Sequence, residues 1–257
     1  MKIVVAIKQV PARDSQLKIA PGGKWIEEDD LTHEINEPDA YALEAGLQLK
    51  EKHSGEVVVL CFGPERAGQT IREALAKGAD RAIHIEEENQ AAYDPLSAAR
   101  VMAAALKAES PDLVLTGLQS DDLGYGQTGP ILAELMGLPH ATIIMEVEKT
   151  DGGIRVKREL EAGYFQFVDM PVPAVLTIQS GINKLRYATL IGIKQAKNKP
   201  LRKVTLPDVQ SALGENLQKI EKLYIPQKTK KTEHIEGAPG EIAKKLVDKL
   251  RNELRVL

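Results

Sequence analysis

The residues of this chain best suited to chemistry are three closely spaced glycines, in Gly124-Tyr-Gly126-Gln-Thr-Gly129. Glycine lets backbone approach a ligand closely, and the first turn of a helix offers N–H groups that no helical carbonyl accepts. A glycine-rich turn running into a helix is therefore a cradle for an anion, a phosphate above all. The side chains around it are Gln119, Ser120, Asp121, Asp122, Gln127 and Thr128, after Leu118. Neutral hydrogen-bonding groups suit a phosphate or sugar that stays in place. A transferred phosphoryl group asks for a lysine or arginine clamp and a metal, which the loop does not supply. Asp121 and Asp122 could hold Mg²⁺ or a ribose hydroxyl, or simply cap turns.

The spacing is that of the dinucleotide fingerprint G-x-G-x-x-G, whose usual place is the first strand-to-helix turn of a βαβ unit. Here the motif comes only after several β/α units, and Gln119–Leu123 separates it from its strand. On the residues alone three readings stay open: an NAD-type site, a glycine-rich connection without a ligand, and a phosphate loop of another α/β nucleotide fold. Other chemistries find little support. His33, His53, His84, His140 and His234 form no zinc-ligand spacing, and there is neither a G-x-S-x-G elbow nor a Walker A lysine. The single cysteine, Cys61, lies in the apolar run Val57–Cys61 and reads as a packed strand residue in a reducing compartment.

Composition sets the frame. The chain has 257 residues, 43% hydrophobic and 28% charged, with a net charge of −3 and 4% aromatics. That is an ordinary globular balance without the basic footprint or stacking aromatics of a nucleic-acid binder. No apolar run approaches the roughly 20 residues of a membrane helix, and the N-terminal run is too short for a signal peptide. We expect no nucleic-acid partner, no membrane insertion and a cytoplasmic location.

The elements that must position the loop follow from punctuation and periodicity. Lys2–Val10 reads as a buried first strand ended by Pro11, and Gln16–Ala20 with Lys24–Ile26 as a small hairpin around Pro21-Gly-Gly23. Asn36-Glu-Pro-Asp39 opens a helix that Asn36 or Asp39 can cap, with its apolar face through Leu49. Further strands are expected at Glu56–Phe62, Arg81–Ile85 and Asp112–Thr116, and helices at Thr70–Lys77, from Asp94-Pro95 to near Lys107, and at Pro130–Met136. Asp151-Gly152 joins a hairpin of Ala141–Val147 and Gly153–Leu160. Ala174–Ile178 is the last strand expected. Alternating strands and helices predict a doubly wound, mostly parallel α/β sheet of Rossmann-like type. Residues 1–183 form that domain; 184–257 read as an extended C-terminal arm, ending in an amphipathic helix over Glu241–Leu254 with Ile242, Leu246 and Leu250 on one face.

Several spaced blocks resemble the β subunit of electron transfer flavoprotein: Val5-Ala-Ile-Lys-Gln-Val-Pro11, Ile35-Asn-Glu-Pro-Asp39 into Ala42-Leu-Glu-Ala45, Gly78-Ala-Asp-Arg81, and Gly117-Leu-Gln119 through Gln127-Thr-Gly129. Val156-Lys-Arg158 through Pro173–Thr177 is similar to the family's signature segment. Arg186-Tyr-Ala-Thr-Leu190, with Lys194, Ala196 and Lys197, resembles its partner-recognition region. The resemblance implies a heterodimer with an α subunit that carries the redox FAD, while this chain holds AMP. Adenine and ribose would then lie near Ala6, Asn36, Asp39 and Phe62, and the phosphate on the Leu118–Gly129 loop. Leu190 matches the leucine that grips dehydrogenase partners, and a quinone oxidoreductase or other acceptor would take the electrons. Ala162, Ile191 and Glu37 depart from the usual pattern, which bears on partner identity more than on fold. An electron-bifurcating relative with a second FAD in this site is the alternative the resemblance leaves, and a nucleotide-binding sensor the alternative outside it.

Overall fold

The computed structural model describes residues 1–227 and 232–257. It divides them into two compact units, Met1–Glu221 and Lys222–Leu257. The first is built on β1 (Lys2–Ile7), β2 (Gln9–Pro11), β3 (His33–Ile35), α1 (Glu37–His53), β4 (Glu56–Gly63), α2 (Gly68–Lys77), β5 (Arg81–Glu86), α3 (Pro95–Leu106), β6 (Leu113–Gly117), α4 (Thr128–Met136), β7 (His140–Thr150), β8 (Gly153–Glu159), β9 (Phe165–Met170), β10 (Ala174–Ile178), α5 (Leu190–Ala196), β11 (Leu201–Thr205) and α6 (Leu206–Leu213).

Among the described residues, nine strands make one sheet in the order β11-β5-β4-β1-β6-β10-β7-β8-β9. The first seven in that order run parallel, and β8 and β9 continue the sheet antiparallel. The strands are apolar almost throughout because both faces are covered. Ile3, Val5, Val57, Val59, Leu113 and Leu115 face the layer of α1 and α2. Val4, Ala6, Val58, Leu60, Phe62 and Val114 face the layer of α3 and α4. After β1 the chain builds outward through β4 and β5, then returns to the other side of β1 for β6. The strand order therefore reverses between β1 and β6, and a crevice opens at their carboxyl ends, where sheets of this kind take ligands.

The sequence expectations hold for most of this frame, and the departures have physical causes. The first strand does not reach Val10. The Asp39 carboxylate takes the Lys8 N–H at 2.7 Å, so the ladder stops at Ile7, and Gln9–Pro11 pairs instead with β3. The Ile19–Ile26 hairpin shrinks to one isolated bridge. Asn36 holds the N-cap position of α1 without a side-chain cap bond; its amide is engaged elsewhere. Ala174–Ile178 is not the last strand. Phe165–Met170 forms an edge strand, and Leu201–Thr205, with Val204 alone fully buried, joins the far edge beside β5.

Residues 184–221 group with the first compact unit, Met1–Glu221. They fold back onto the sheet layer instead of extending away. Gly192 makes this possible, since a Cβ there would stand 2.2 Å from the Ala76 carbonyl oxygen, so α5 can press on α2. Lys199 Nζ then donates to the Leu75 and Ala79 carbonyls at the end of α2. A capping box between Thr205 and Asp208 starts α6 in a stretch without clear periodicity. The second unit contains α7 (Pro239–Asp248), followed by a wider helical turn over Lys249–Glu253, and none of the α7 residues is buried. Among the described residues, no helix is long and apolar enough to cross a membrane.

Candidate functional site

The crevice is held open and in shape by one buried carboxylate. Asp39, in the first turn of α1, accepts from Lys8 N at 2.7 Å through Oδ2 and from Gly117 N at 2.9 Å through Oδ1. It thus ties the end of β1 to the end of β6 across the point where the strand order reverses. Gly117 must be glycine, because a Cβ would lie 2.3 Å from that same Oδ1. Burial, the largest influence, raises the Asp39 carboxyl to about 7, against the Lys8, Asn36 and Gly117 hydrogen bonds and the Lys8 charge, which favour the ionised form.

Asn36, 1% exposed, performs the matching task for the loop. Its Nδ2 donates to Gln119 O at 2.9 Å and its Oδ1 accepts from Asp121 N at 2.8 Å. The side chain that could have capped α1 instead clips the loop to the helix start. Lys8 Nζ reaches across to Asp122 at 2.6 Å, and Asp121 faces the Glu37 N–H and Arg13. Both loop acids are therefore bracing groups whose charges meet cations or N–H donors of the protein.

Beyond this bracing the loop turns on two residues of positive φ, Gly124 at 63° and Gly126 at 64°, and Gly124 N closes a turn on Ser120 O. Gly129 is demanded by packing: a Cβ would stand 2.5 Å from Thr177 Cγ2 and 2.7 Å from Thr116 Oγ1. The three glycines thus have two different reasons, backbone conformation for the first pair and helix-on-strand approach for the third. Gln127 is the N-cap of α4 and makes no side-chain cap bond. The first N–H groups of α4 have no helical acceptor, and Pro130 lacks the N–H of its position. This positive helix end points at the crevice lined by Leu118, Gln119, Ser120, Gly126, Gln127, Thr128 and Gly129.

Ala6, Asn36, Asp39 and Phe62 line the same crevice, so the structure brings these four and that loop segment together. Asp121, Asp122 and Gly124 stand behind the lining. The opposite wall was not legible as part of the site: Tyr93, Pro95, Ala98 and Met102, from the start of α3 and the turn before it, complete an apolar slot. The Phe62 and Tyr93 rings meet edge to face at 5.6 Å. Lys8 is a further omission. Its place directly after the apolar run Ile3–Ile7 is the signal that could have found it, since a strand's carboxyl end is where such a sheet offers side chains to ligands. Asp94 lines the crevice beside Pro95 and braces this wall. Burial opposes its charge, but N–H bonds from Ser97, Leu217 and Gln218 prevail and hold the carboxyl below its usual range. Cys61 is buried beneath, its thiol pushed up to about 12 by burial and then by the Asp39 charge, which leaves it a packing residue.

The second candidate region is exposed. Arg186 is fastened from behind by Glu44 and Glu51 through four hydrogen bonds of 2.6 to 3.0 Å. Thr189 then caps α5 by accepting from Gly192 N at 3.0 Å. Leu190 is 80% exposed, with Tyr187 at 93% and Ile191 at 69%, so the leucine is not part of the core.

The sequence profile of the electron transfer flavoprotein domain matches residues 24–209. The chain is similar to the electron transfer flavoprotein subunit beta of Methylophilus methylotrophus, 38% identical over 256 residues that cover 96% of this chain and 97% of that protein. It is 34% identical over 261 residues to the subunit of the same name from Bacillus subtilis, and 32% identical over 260 residues to the mitochondrial one of Arabidopsis thaliana, with complete coverage of both partners in each case.

Proposed function

The chain belongs to the electron transfer flavoprotein family, and from that premise we propose that it is the β subunit of a heterodimeric electron carrier and holds one AMP as a structural ligand. The observation that carries the reading is the crevice between β1 and β6, where an apolar slot and a glycine-shaped helix N-terminus face one another. The slot of Phe62, Tyr93 and Met102 suits a purine, and the first turn of α4 suits one phosphate. Lys8 is the lysine in the lining and is already bonded to Asp122, so the site offers a single dipole-based anion position rather than a clamp for a reacting phosphoryl group.

In this reading Gly126, Gln127, Thr128 and Gly129 hold the phosphate, while Ala6, Phe62 and the Leu118–Ser120 backbone border the nucleoside. Asn36, Asp39, Asp121, Asp122 and Gly124 keep the loop in shape. The FAD of the α subunit supplies the redox chemistry, and this chain contributes binding, orientation and docking. Leu190, exposed on a helix fastened by Arg186, is the anchor for dehydrogenases, with a quinone oxidoreductase or other acceptor downstream. The apolar stripe of Ile242, Leu246 and Leu250 on α7, none of it buried, suits docking on the α subunit. The test is production of the chain with and without its companion. The reading expects flavin colour and electron uptake from a dehydrogenase only in the co-produced complex; flavin retained by this chain alone would contradict it.

A further inference from the structure

Among the described residues, Arg158 is a cation without a carboxylate partner. On the other face of β8, Arg155 is paired with Asp169 and Lys157 with Glu146. Arg158 bonds, among the described residues, only neutral oxygens at long range: Gln166 Oε1 at 3.4 Å and Thr142 Oγ1 at 3.3 Å. Its Nε is buried and has no acceptor. Glu159, the adjacent acid, is turned toward Gln179, whose Nε2 stands 3.3 Å from its Oε2. A guanidinium fork bonded this weakly is unusual, because buried donors are nearly always satisfied and arginine is suited to bidentate acceptors.

Two independent features mark the same place. Ile143, next to Thr142, has φ 59°, and Ala162, in the turn between β8 and β9, has φ 57°. For a β-branched residue that is a true outlier, and such backbone persists at sites where the surroundings impose it. The flanking surface is apolar and aromatic rather than charged: Tyr164 is 71% exposed, and Leu160 beside it is also open. Exposed tyrosine and leucine around an arginine is the composition of a protein-binding patch more than of a phosphate pocket.

We propose that Arg158 receives a carboxylate side chain of the companion subunit, which docks on the end of the β7–β8–β9 ribbon formed by Thr142, Arg158, Leu160, Tyr164 and Gln166. This rests on the heterodimer reading above. The guanidinium fork takes both oxygens of the incoming acid, satisfies the orphaned Nε or one terminal N–H pair, and is desolvated as Tyr164 and Leu160 are covered.

The test is the dissociation constant of the full-length chain for its companion, for wild type, Arg158→Gln, Arg158→Lys and, as a control on the opposite face, Lys157→Gln. Arg158→Gln is expected to weaken binding by about 30-fold or more, as for a desolvated charge pair. Arg158→Lys should lie between, since a lysine keeps the charge but not the fork, and Lys157→Gln should bind like wild type. Thermal midpoint and nucleotide content report whether each variant is folded. Wild-type affinity for folded Arg158→Gln overturns the proposal. Should that variant not fold, Arg158→Lys decides: weakened binding supports the proposal, and unchanged binding overturns it. Absence of binding by the wild-type chain would instead overturn the heterodimer reading itself.

Discussion

The crevice and the Arg186–Ala196 segment solve opposite problems with the same tactic. In each, a polar group is fastened from behind so that what faces forward is fixed. At the crevice, Asp39 and Asn36 spend their side chains on backbone N–H and carbonyl groups, and the forward face is bare backbone at the start of α4. In the segment, Arg186 is spent on Glu44 and Glu51, and the forward face is apolar: Tyr187, Leu190 and Ile191. In the proposed function, one region withdraws a small ligand from water, and the other presents to water an apolar face for a partner to cover. On that proposal nucleotide retention and docking sit in separate parts of the fold, and variants should separate them too.

The largest effect is expected at the tie between β1 and β6. Asp39→Ala leaves the Lys8 and Gly117 N–H groups without acceptors, and Gly117→Ala drives a Cβ into Oδ1. Each should cost about 3 kcal/mol in denaturant unfolding and empty the nucleotide site. Asp39 also sets a pH signature. Its folded value of about 7 lies above the 3.8 of an ordinary aspartate, so the folded chain holds the extra proton between those values. The contribution of this group to stability is full below about pH 4 and falls as pH rises to about 7. Unfolding curves across that window should show the decline in wild type and lack it in Asp39→Ala; an identical slope in both would contradict the assignment.

Next comes Gly126→Val, which places a β-branched residue at φ 64°, in the approach of the proposed phosphate. We expect a loss of about 1–3 kcal/mol and no retained AMP; full AMP content in the purified variant would be the contrary result. Gly192→Ala is its counterpart in the docking region. The new methyl meets the Ala76 carbonyl, so α5 should loosen from α2 at a cost of about 1–3 kcal/mol, with nucleotide content unchanged. Loss of nucleotide there would break the separation. The smallest structural effect belongs to Leu190→Ala: stability within about 0.5 kcal/mol of wild type for so exposed a side chain. Electron transfer from a dehydrogenase at low partner concentration should nevertheless slow about tenfold if the leucine is a hot spot. An unchanged rate would remove the anchor role.

How much of this could be read from residues alone depends on whether the signal was local. The glycine loop, the Asp94-Pro95 helix start and the Asp151-Gly152 hairpin are local punctuation, and each is where the sequence put it. Strands apolar on both faces announced the parallel sheet. What escaped was set by distant contacts. β1 stops at Ile7 because an aspartate thirty-one residues later takes its next N–H. β11 carries one fully buried residue and exists because β5 offers it an edge. The aromatic wall of the crevice comes from a turn whose own sequence says nothing of Phe62, and Asn36 left its capping role because a loop eighty-three residues on needed its amide. Exposure of Leu190 likewise follows from Arg186 and Gly192 fixing α5 on α2, which no periodicity in seven residues could reveal.

The central claim is that this chain holds a nucleotide and leaves the redox flavin to its companion. It is tested most directly by denaturing the purified heterodimer and counting the released nucleotides. The account predicts one FAD and one AMP per heterodimer. Two FAD and no AMP would contradict it, placing a second flavin in the crevice and making this chain part of an electron-bifurcating system.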